Sequence, residues 1–241
     1  MTALLEGAPA HVEDRTAAAV ARLREVAASD SWGVLEWGRP GRSAAFSRRD
    51  ERSAGFADAV ESVRLRGFEP FVRPVGGRLA CYHDGSLVLD LLVRNADPRP
   101  GTTARFRVLA DTIAVGLGRL GVDARTGAVP DEYCPGEWSV NAGGRTKLVG
   151  TGQRLVRGAV LLTAVIVVGD PEPLAEAMGD AYKRLGLAFD PRSVGSVSQS
   201  VPGVTLADVE DAVGGALAER LRLSAPDLVS GRELPTPWDP R

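Results

Sequence analysis

Residues Ala159–Val168 form the longest apolar run of the chain. It falls well short of the roughly 20 residues that span a bilayer, so it reads as a buried strand at the centre of a sheet. Just before it, Trp138–Gly152 has the pattern of a β-hairpin turning at Ala142-Gly143-Gly144. A hairpin feeding a central strand points to antiparallel pairing. Helical segments elsewhere do not alternate one for one with strands, so the expected class is α+β rather than a doubly wound sheet.

The remaining elements follow from periodicity. Val12, Ala19, Leu23 and Val26 share one stripe and predict a helix over Val12–Ala28. Short apolar segments at Gly33–Trp37 and Ala44–Phe46 flank the turn Gly38-Arg39-Pro40-Gly41. Phe56, Ala59, Val60 and Val63 predict a helix ended by Gly67. Phe68–Val72, Leu79–Tyr82 and Ser86–Val93 read as strands, and Phe106 to Leu120 as a long helix stopped by Gly121. Leu174, Met178, Ala181 and Leu185 mark another helix, and Thr205 caps a last one carrying Val209, Val213, Leu217 and Leu221. No repeat or linker divides the chain, so residues 1–223 are expected to form one domain. The tail Ser224–Arg241 holds four prolines and is expected to lie on the surface or be disordered.

Net charge is −2 with both signs dispersed, which gives no basic footprint for nucleic acid. The start Met1–Gly7 lacks the basic and apolar regions of a signal peptide. Two cysteines, Cys81 and Cys134, do not make a disulfide framework and fit a reduced cytoplasm. A soluble cytoplasmic protein without a membrane partner is the expectation. Basic side chains are almost all arginine, so Lys147 and Lys183 stand out.

Four places carry candidate chemistry. Arg73-Pro74-Val75-Gly76-Gly77-Arg78 sits between two predicted strands. Paired glycines there let backbone approach an anion, with Arg73 and Arg78 to grip it; a tight turn is the plain alternative. His83-Asp84 suggests a base or an oriented donor, or simply a polar hairpin turn. No second histidine lies nearby, so no metal site is expected. Lys147, on a predicted strand, would stabilise an oxyanion or a phosphate, or else be a solvated edge lysine. Cys134 precedes Pro135-Gly136 in a loop and is either a nucleophile or a spectator, whereas Cys81 on an apolar strand reads as structural.

Taken together, three blocks resemble the lipoate–protein ligase and octanoyltransferase family, which shares its catalytic domain with biotin–protein ligases. The first, Arg73 through Gly85, resembles the family's Arg-Arg-x-x-Gly-Gly-Gly loop and following His-Asp turn. It departs from that pattern at Pro74 and Arg78. The second, Gly144 through Arg154, resembles the lysine strand Gly-x-Lys-x-x-Gly-x-x-Gln-Arg with one extra residue before Lys147. The third, Tyr133 through Val140, resembles the Cys-Pro-Gly-Glu-Tyr-Ser stretch of ligase-like members. The likeness extends over roughly residues 10–220.

The resemblance implies a biotin/lipoate ligase-like α+β fold, with a mixed, mostly antiparallel sheet flanked by helices. In the ligases, ATP with Mg2+ activates lipoate or octanoate as an acyl-adenylate. A lysine of a lipoyl domain or glycine-cleavage H-like protein then attacks it. Lys147 would contact the acyl carbonyl and adenylate phosphate. Arg73, Gly76, Gly77, Arg78, His83, Asp84, Gly150 and Gln153 would bind the acyl-adenylate, and Leu79, Leu148 and Leu162 would wall the acyl tunnel.

Three functions compete. The first is the ATP-dependent ligase, favoured by the thirteen-position spacing from Cys134 to Lys147. The second is a transferase that holds the acyl group as a thioester on Cys134, a reading for which Gly76-Gly77-Arg78 resembles one transferase group. The third is a degenerate, non-catalytic member acting as a binding subunit.

Overall fold

The computed structural model describes residues 12–221. Helix α1 (Val12–Ala28) leads into β1 (Gly33–Gly38), β2 (Ser43–Phe46), the single turn α2 (Arg48–Glu51) and α3 (Phe56–Leu65). Strands β3 (Glu69–Val72), β4 (Ala80–Tyr82) and β5 (Ser86–Arg94) follow, then the long helix α4 (Thr102–Arg119). The second half holds β6 (Ala124–Thr126), β7 (Val140–Ala142), β8 (Thr146–Val156), β9 (Ala159–Val167), α5 (Glu172–Leu185), α6 (Val197–Ser200) and α7 (Leu206–Arg220).

The larger sheet runs β1-β5-β9-β8-β7-β6 and is antiparallel throughout. The apolar run takes its interior position as β9, paired over Ala159–Val167 with β5 on one side and over Ala159–Ile166 with β8 on the other. A smaller sheet runs β3-β2-β4, with β2 parallel to β3 and antiparallel to β4. The expected mixed, mostly antiparallel α+β architecture is what the chain forms.

Alternation along β9 divides its side chains between two environments. Val160, Leu162, Ala164 and Ile166 join Leu87, Leu89 and Leu91 of β5 in a core with Ile113 and Leu117 of α4 and Val209 and Val213 of α7. Leu161, Thr163 and Val165 face the other way, as do Val88 and Asp90, and line a cavity. Near one end of that face α1 seats Leu23 and Val26 against Leu92 and Leu161. This corrects the predicted tunnel wall: Leu148 and Leu162 lie in the helix-covered core, and Leu79 in the core of the small sheet. The residues one position along from Leu162, Leu161 and Thr163, do the walling instead.

The small sheet packs Ala44, Phe46 and Cys81 against Ala59 and Val63 of α3 and Leu174, Met178 and Ala181 of α5. Fully burying a side chain such as Phe46 stabilises the fold by about 1.5–3 kcal/mol. Gly121, at φ +97°, follows α4 as expected of a helix stop. Thr205 caps α7 through its Oγ1, which accepts from the Asp208 amide at 3.1 Å. The elements that periodicity missed, α2, β6 and α6, span three or four residues and are too short to show a period. No described helix is long and apolar enough to cross a membrane. His11, the 223/224 boundary and the proline-rich tail lie outside the described residues.

Candidate active site

The hairpin between β7 and β8 brings the lysine and the thiol together. Gly143 and Gly144 make its turn at φ +57° and +73°, a backbone that side chains rarely adopt. Lys147 then sits in β8, between β7 and β9, and is only 1% exposed. Its Nζ donates to Glu132 Oε1 at 3.0 Å, Tyr133 O at 2.9 Å and Cys134 O at 3.0 Å, which occupies all three ammonium hydrogens. The same atom lies 4.5 Å from the Tyr133 ring centroid. A solvated edge lysine is therefore excluded. Burial draws the ammonium below the usual lysine range, with the Glu132 carboxylate opposing the shift.

Glu132, also 1% exposed, is the hub of the loop between β6 and β7. Besides Lys147, its Oε1 accepts from Ser139 Oγ at 2.6 Å and the Gly136 amide at 3.1 Å. Its Oε2 accepts from the Val129 amide at 3.0 Å. Four donors on one buried carboxylate fix the chain on both sides of Cys134.

Cys134 itself has a left-handed backbone, φ +44°. Two bonds hold it there: its amide donates to Tyr182 Oη at 2.6 Å, and its carbonyl accepts from Lys147. Tyr182, from α5, in turn donates to Leu79 O at 2.8 Å and ties the loop to the small sheet. The thiol is half-buried, and its Sγ accepts from Arg73 Nη2 at 3.3 Å and the Arg78 amide at 3.2 Å. Burial alone would push this thiol up. The Arg73 guanidinium, the Lys147 ammonium and the Arg78 amide outweigh it and hold the thiol below its usual range. At Cys81 burial outweighs the pull of the Arg42 guanidinium and pushes the thiol up.

The glycine loop wraps the thiol from the other side. Arg73 is pinned by Tyr82 Oη, which accepts from Nη1 at 3.2 Å, and by Arg78 O, which accepts from Nη2 at 2.6 Å. Arg78 turns its side chain away to the fully buried Asp50, 3.1 Å distant. Gly77 has φ +103°, and a Cβ there would sit 2.5 Å from Cys134 Sγ and 2.7 Å from Arg73 Nη2. Gly77→Ala is therefore expected to cost about 1–3 kcal/mol of stability and to slow alkylation of Cys134 by iodoacetamide. Calorimetry and a labelling time course would check both.

Arg73, Gly76, Gly77, Cys134, Lys147, Gly150 and Gln153 all line one cavity of about 490 Å³. Its remaining wall is mostly apolar, including Phe71, Val75, Phe106 and Trp138. At Gly150, on its floor, a Cβ would make only ordinary contact with Lys147 Cε at 3.6 Å. Gln153 is held by its own bonds, accepting from Arg105 Nε at 3.0 Å and donating to Thr102 O at 2.8 Å.

Three predicted ligand-binding residues are not on this wall. His83 accepts from the Gly85 amide at Nδ1, 2.8 Å, which leaves Nε2–H to donate to Asp170 O at 2.6 Å. It is a latch for the turn between β4 and β5. Asp84 is exposed on that turn, and Arg78 reaches the thiol only through its backbone. Conversely, sequence reasoning missed Asp50, Glu132 and Tyr182. For Asp50 a signal existed, since Ser47 and Asp50 have capping-box spacing and form one.

A family model described as the lipoyl protein ligase A/B catalytic domain matches residues 48–218. Among curated relatives, the octanoyl-[GcvH]:protein N-octanoyltransferase of Exiguobacterium sibiricum is 26% identical over 167 residues, 68% of this chain and 58% of the relative. The match thus spans less than two thirds of that protein. Among solved structures, a lipoate-protein ligase A bound with ATP superposes with a TM-score of 0.64 at 21% identity, covering 85% of this chain and 80% of its own. A bi-partite lipoate protein ligase of Thermoplasma acidophilum, described with its E2 lipoyl domain, gives 0.63 at 20% identity, with 86% and 79% covered. At these identities the structural likeness establishes the fold.

Proposed function

The chain belongs to the lipoyl protein ligase A/B catalytic-domain family, and from that premise we propose that it is an acyltransferase carrying an octanoyl or lipoyl group as a thioester on Cys134. The observation that carries this reading is the thiol itself, at the wall of an apolar cavity with a guanidinium and a backbone amide on its sulfur. Reactive cysteines occupy electropositive, partly exposed settings of this kind.

The Cys134 thiolate adds to the acyl carbonyl of the donor. A carbon–sulfur bond forms, the bond to the donor heteroatom breaks, and the leaving group takes up the proton that the thiol released on ionising. An amine of the acceptor then adds to the thioester carbonyl. A carbon–nitrogen bond forms, sulfur leaves as thiolate, and the amine gives up its proton. The Exiguobacterium relative is named for taking octanoyl from GcvH, and the archaeal ligase is described with an E2 lipoyl domain. An acylated H-like protein is accordingly the donor proposed here, and a lipoyl-domain lysine the acceptor.

An adenylate route is favoured less because the cations on the cavity wall are already committed. Lys147 spends its three hydrogens on Glu132 and two carbonyls, and both Arg73 Nη atoms are engaged. A triphosphate gripped by these cations would have to compete with those bonds, so no step is derived through ATP or Mg2+.

Intact-mass analysis after incubation with octanoylated H-like protein should find one octanoyl group, mapped to Cys134, without ATP. The same mixture plus lipoyl domain should move it to the acceptor. An unmodified Cys134, with transfer appearing only when ATP and Mg2+ are added, would return the ligase reading to first place.

A further inference from the structure

Asp50 does two things at once. Its Oδ2 accepts from the Ser47 amide and the Ser47 hydroxyl, both at 2.9 Å, and completes the capping box of α2. Its Oδ1 accepts from Arg78 Nη1 at 3.1 Å, a bond that capping does not need. A fully buried carboxylate is costly unless it is paired and hydrogen-bonded, and the Arg78 guanidinium supplies the pairing. The backbone of that arginine is what meets the site. Its amide donates to Cys134 Sγ at 3.2 Å, and its carbonyl accepts from Arg73 Nη2, which itself reaches Sγ at 3.3 Å.

The segment around Arg78 depends on ties of this kind. Gly76 and Gly77 precede it, so sterics alone restrain its torsions little. Side chains from elsewhere hold its backbone: Arg154 Nη1 donates to Pro74 O at 2.7 Å, and Tyr182 Oη to Leu79 O at 2.8 Å. The Asp50–Arg78 pair is the tie at the residue that meets the sulfur.

We propose that Asp50 is a positioning residue for acyl transfer: by gripping the Arg78 side chain it keeps the Arg78 amide on Cys134 Sγ and the Arg78 carbonyl on Arg73 Nη2, so that both donors stay on the sulfur. The inference rests on the thioester reading. The charge of Asp50 and its grip act in opposite directions. An anion near a thiol disfavours the thiolate, whereas the two donors that Arg78 keeps in place favour it.

The sign of one shift therefore separates them. The ionisable groups that face the thiol are Arg73 from the glycine loop, Lys147 from β8, Tyr82 from β4, Tyr182 from α5, and Tyr133 and Glu132 from its own loop, with Asp50 of α2 acting through Arg78. Asp50→Asn is nearly isosteric and substitutes only the last of these. The single asparagine oxygen is claimed by the two Ser47 donors, which turns the NH2 toward Arg78 and ends the tether. The experiment compares this variant with the native protein across pH, reading iodoacetamide alkylation of Cys134 and its acylation by the octanoyl thioester of N-acetylcysteamine.

Loss of the tether should raise the alkylation midpoint by about one pH unit, the weight of one hydrogen bond to a charged group. The plateau rate should match the native one or slightly exceed it, since a thiolate of higher pKa is the better nucleophile. The acylation profile should move up with it. Loss of the carboxylate charge alone would move both midpoints down. Should the variant fail to fold, Ser47→Ala withdraws one donor from Asp50 without changing any charge, and a smaller upward shift is expected. A midpoint that stays or falls in whichever variant folds, or an acylation profile that does not follow alkylation, would overturn the assignment of Asp50 alone. A native protein whose Cys134 takes up no octanoyl group would overturn it together with the thioester reading.

Discussion

Cys134→Ser is expected to lower acyl transfer to a lipoyl domain by about 10³-fold or more, with the melting temperature within about 2 °C of native. The serine hydroxyl fits where the thiol was and still accepts from Arg73 and the Arg78 amide. It does not ionise there, however, because the surrounding cations shift a pKa by a few units and not by the amount an alkoxide needs. Nor does a base stand by to take its proton. His83, the one described histidine, has Nδ1 on the Gly85 amide and Nε2 on Asp170 O, outside the cavity. Single-turnover transfer, read by mass, decides the matter. A serine variant that transfers at the native rate would remove Cys134 from the mechanism.

Glu132→Ala should give the largest loss of stability. It strands the Lys147 ammonium in the interior, together with the Ser139 hydroxyl and the amides of Val129 and Gly136. Breaking a buried pair by removing one partner costs about 3–5 kcal/mol, which for a chain of this size lowers the melting temperature on the order of 10 °C. The Glu132→Ala/Lys147→Met double variant should recover part of that loss, because no buried charge is left unpaired. Thermal melts of the two single variants and the double one yield the coupling directly. Strictly additive losses would show that the pair is not a unit.

Most elements of the fold could be read in the sequence where an element is long enough to repeat. Ala159–Val167 and Thr146–Val156 show their strand character through composition, and α4, α5 and α7 through an apolar stripe. Helix α2 and strand β6 offer three or four residues and no period. Which face of β9 meets the helices is a matter of one-residue register, and this is why Leu162 was assigned to the cavity that Leu161 and Thr163 line.

The site was legible by residue type but not by role. Lys147, Cys134 and the glycine loop are spelled out as motifs, and the structure brings them within hydrogen-bonding reach of one another. Their division of labour depends on who holds whom. Glu132 is an ordinary acid in the sequence and becomes the anchor of Lys147 only when the β7–β8 hairpin folds under its loop. Tyr182 lies 48 positions along the sequence from Cys134, on a helix marked in the sequence only by its apolar stripe, and yet its hydroxyl holds the Cys134 amide. The twelve residues between Cys134 and Lys147 say nothing of Arg73, which reaches the sulfur from the loop after β3.

The left-handed backbone at residue 134 acts as a filter on which nucleophiles this position can ever hold. With φ at +44°, an unbranched Cβ is tolerated, whereas a β-branched one is a genuine outlier. Sulfur can thus be exchanged for the primary hydroxyl of serine, but the secondary hydroxyl of threonine is barred by the main chain before any chemistry is tried. The range of reactions open to this pocket is narrowed by a torsion angle as well as by the groups that surround it.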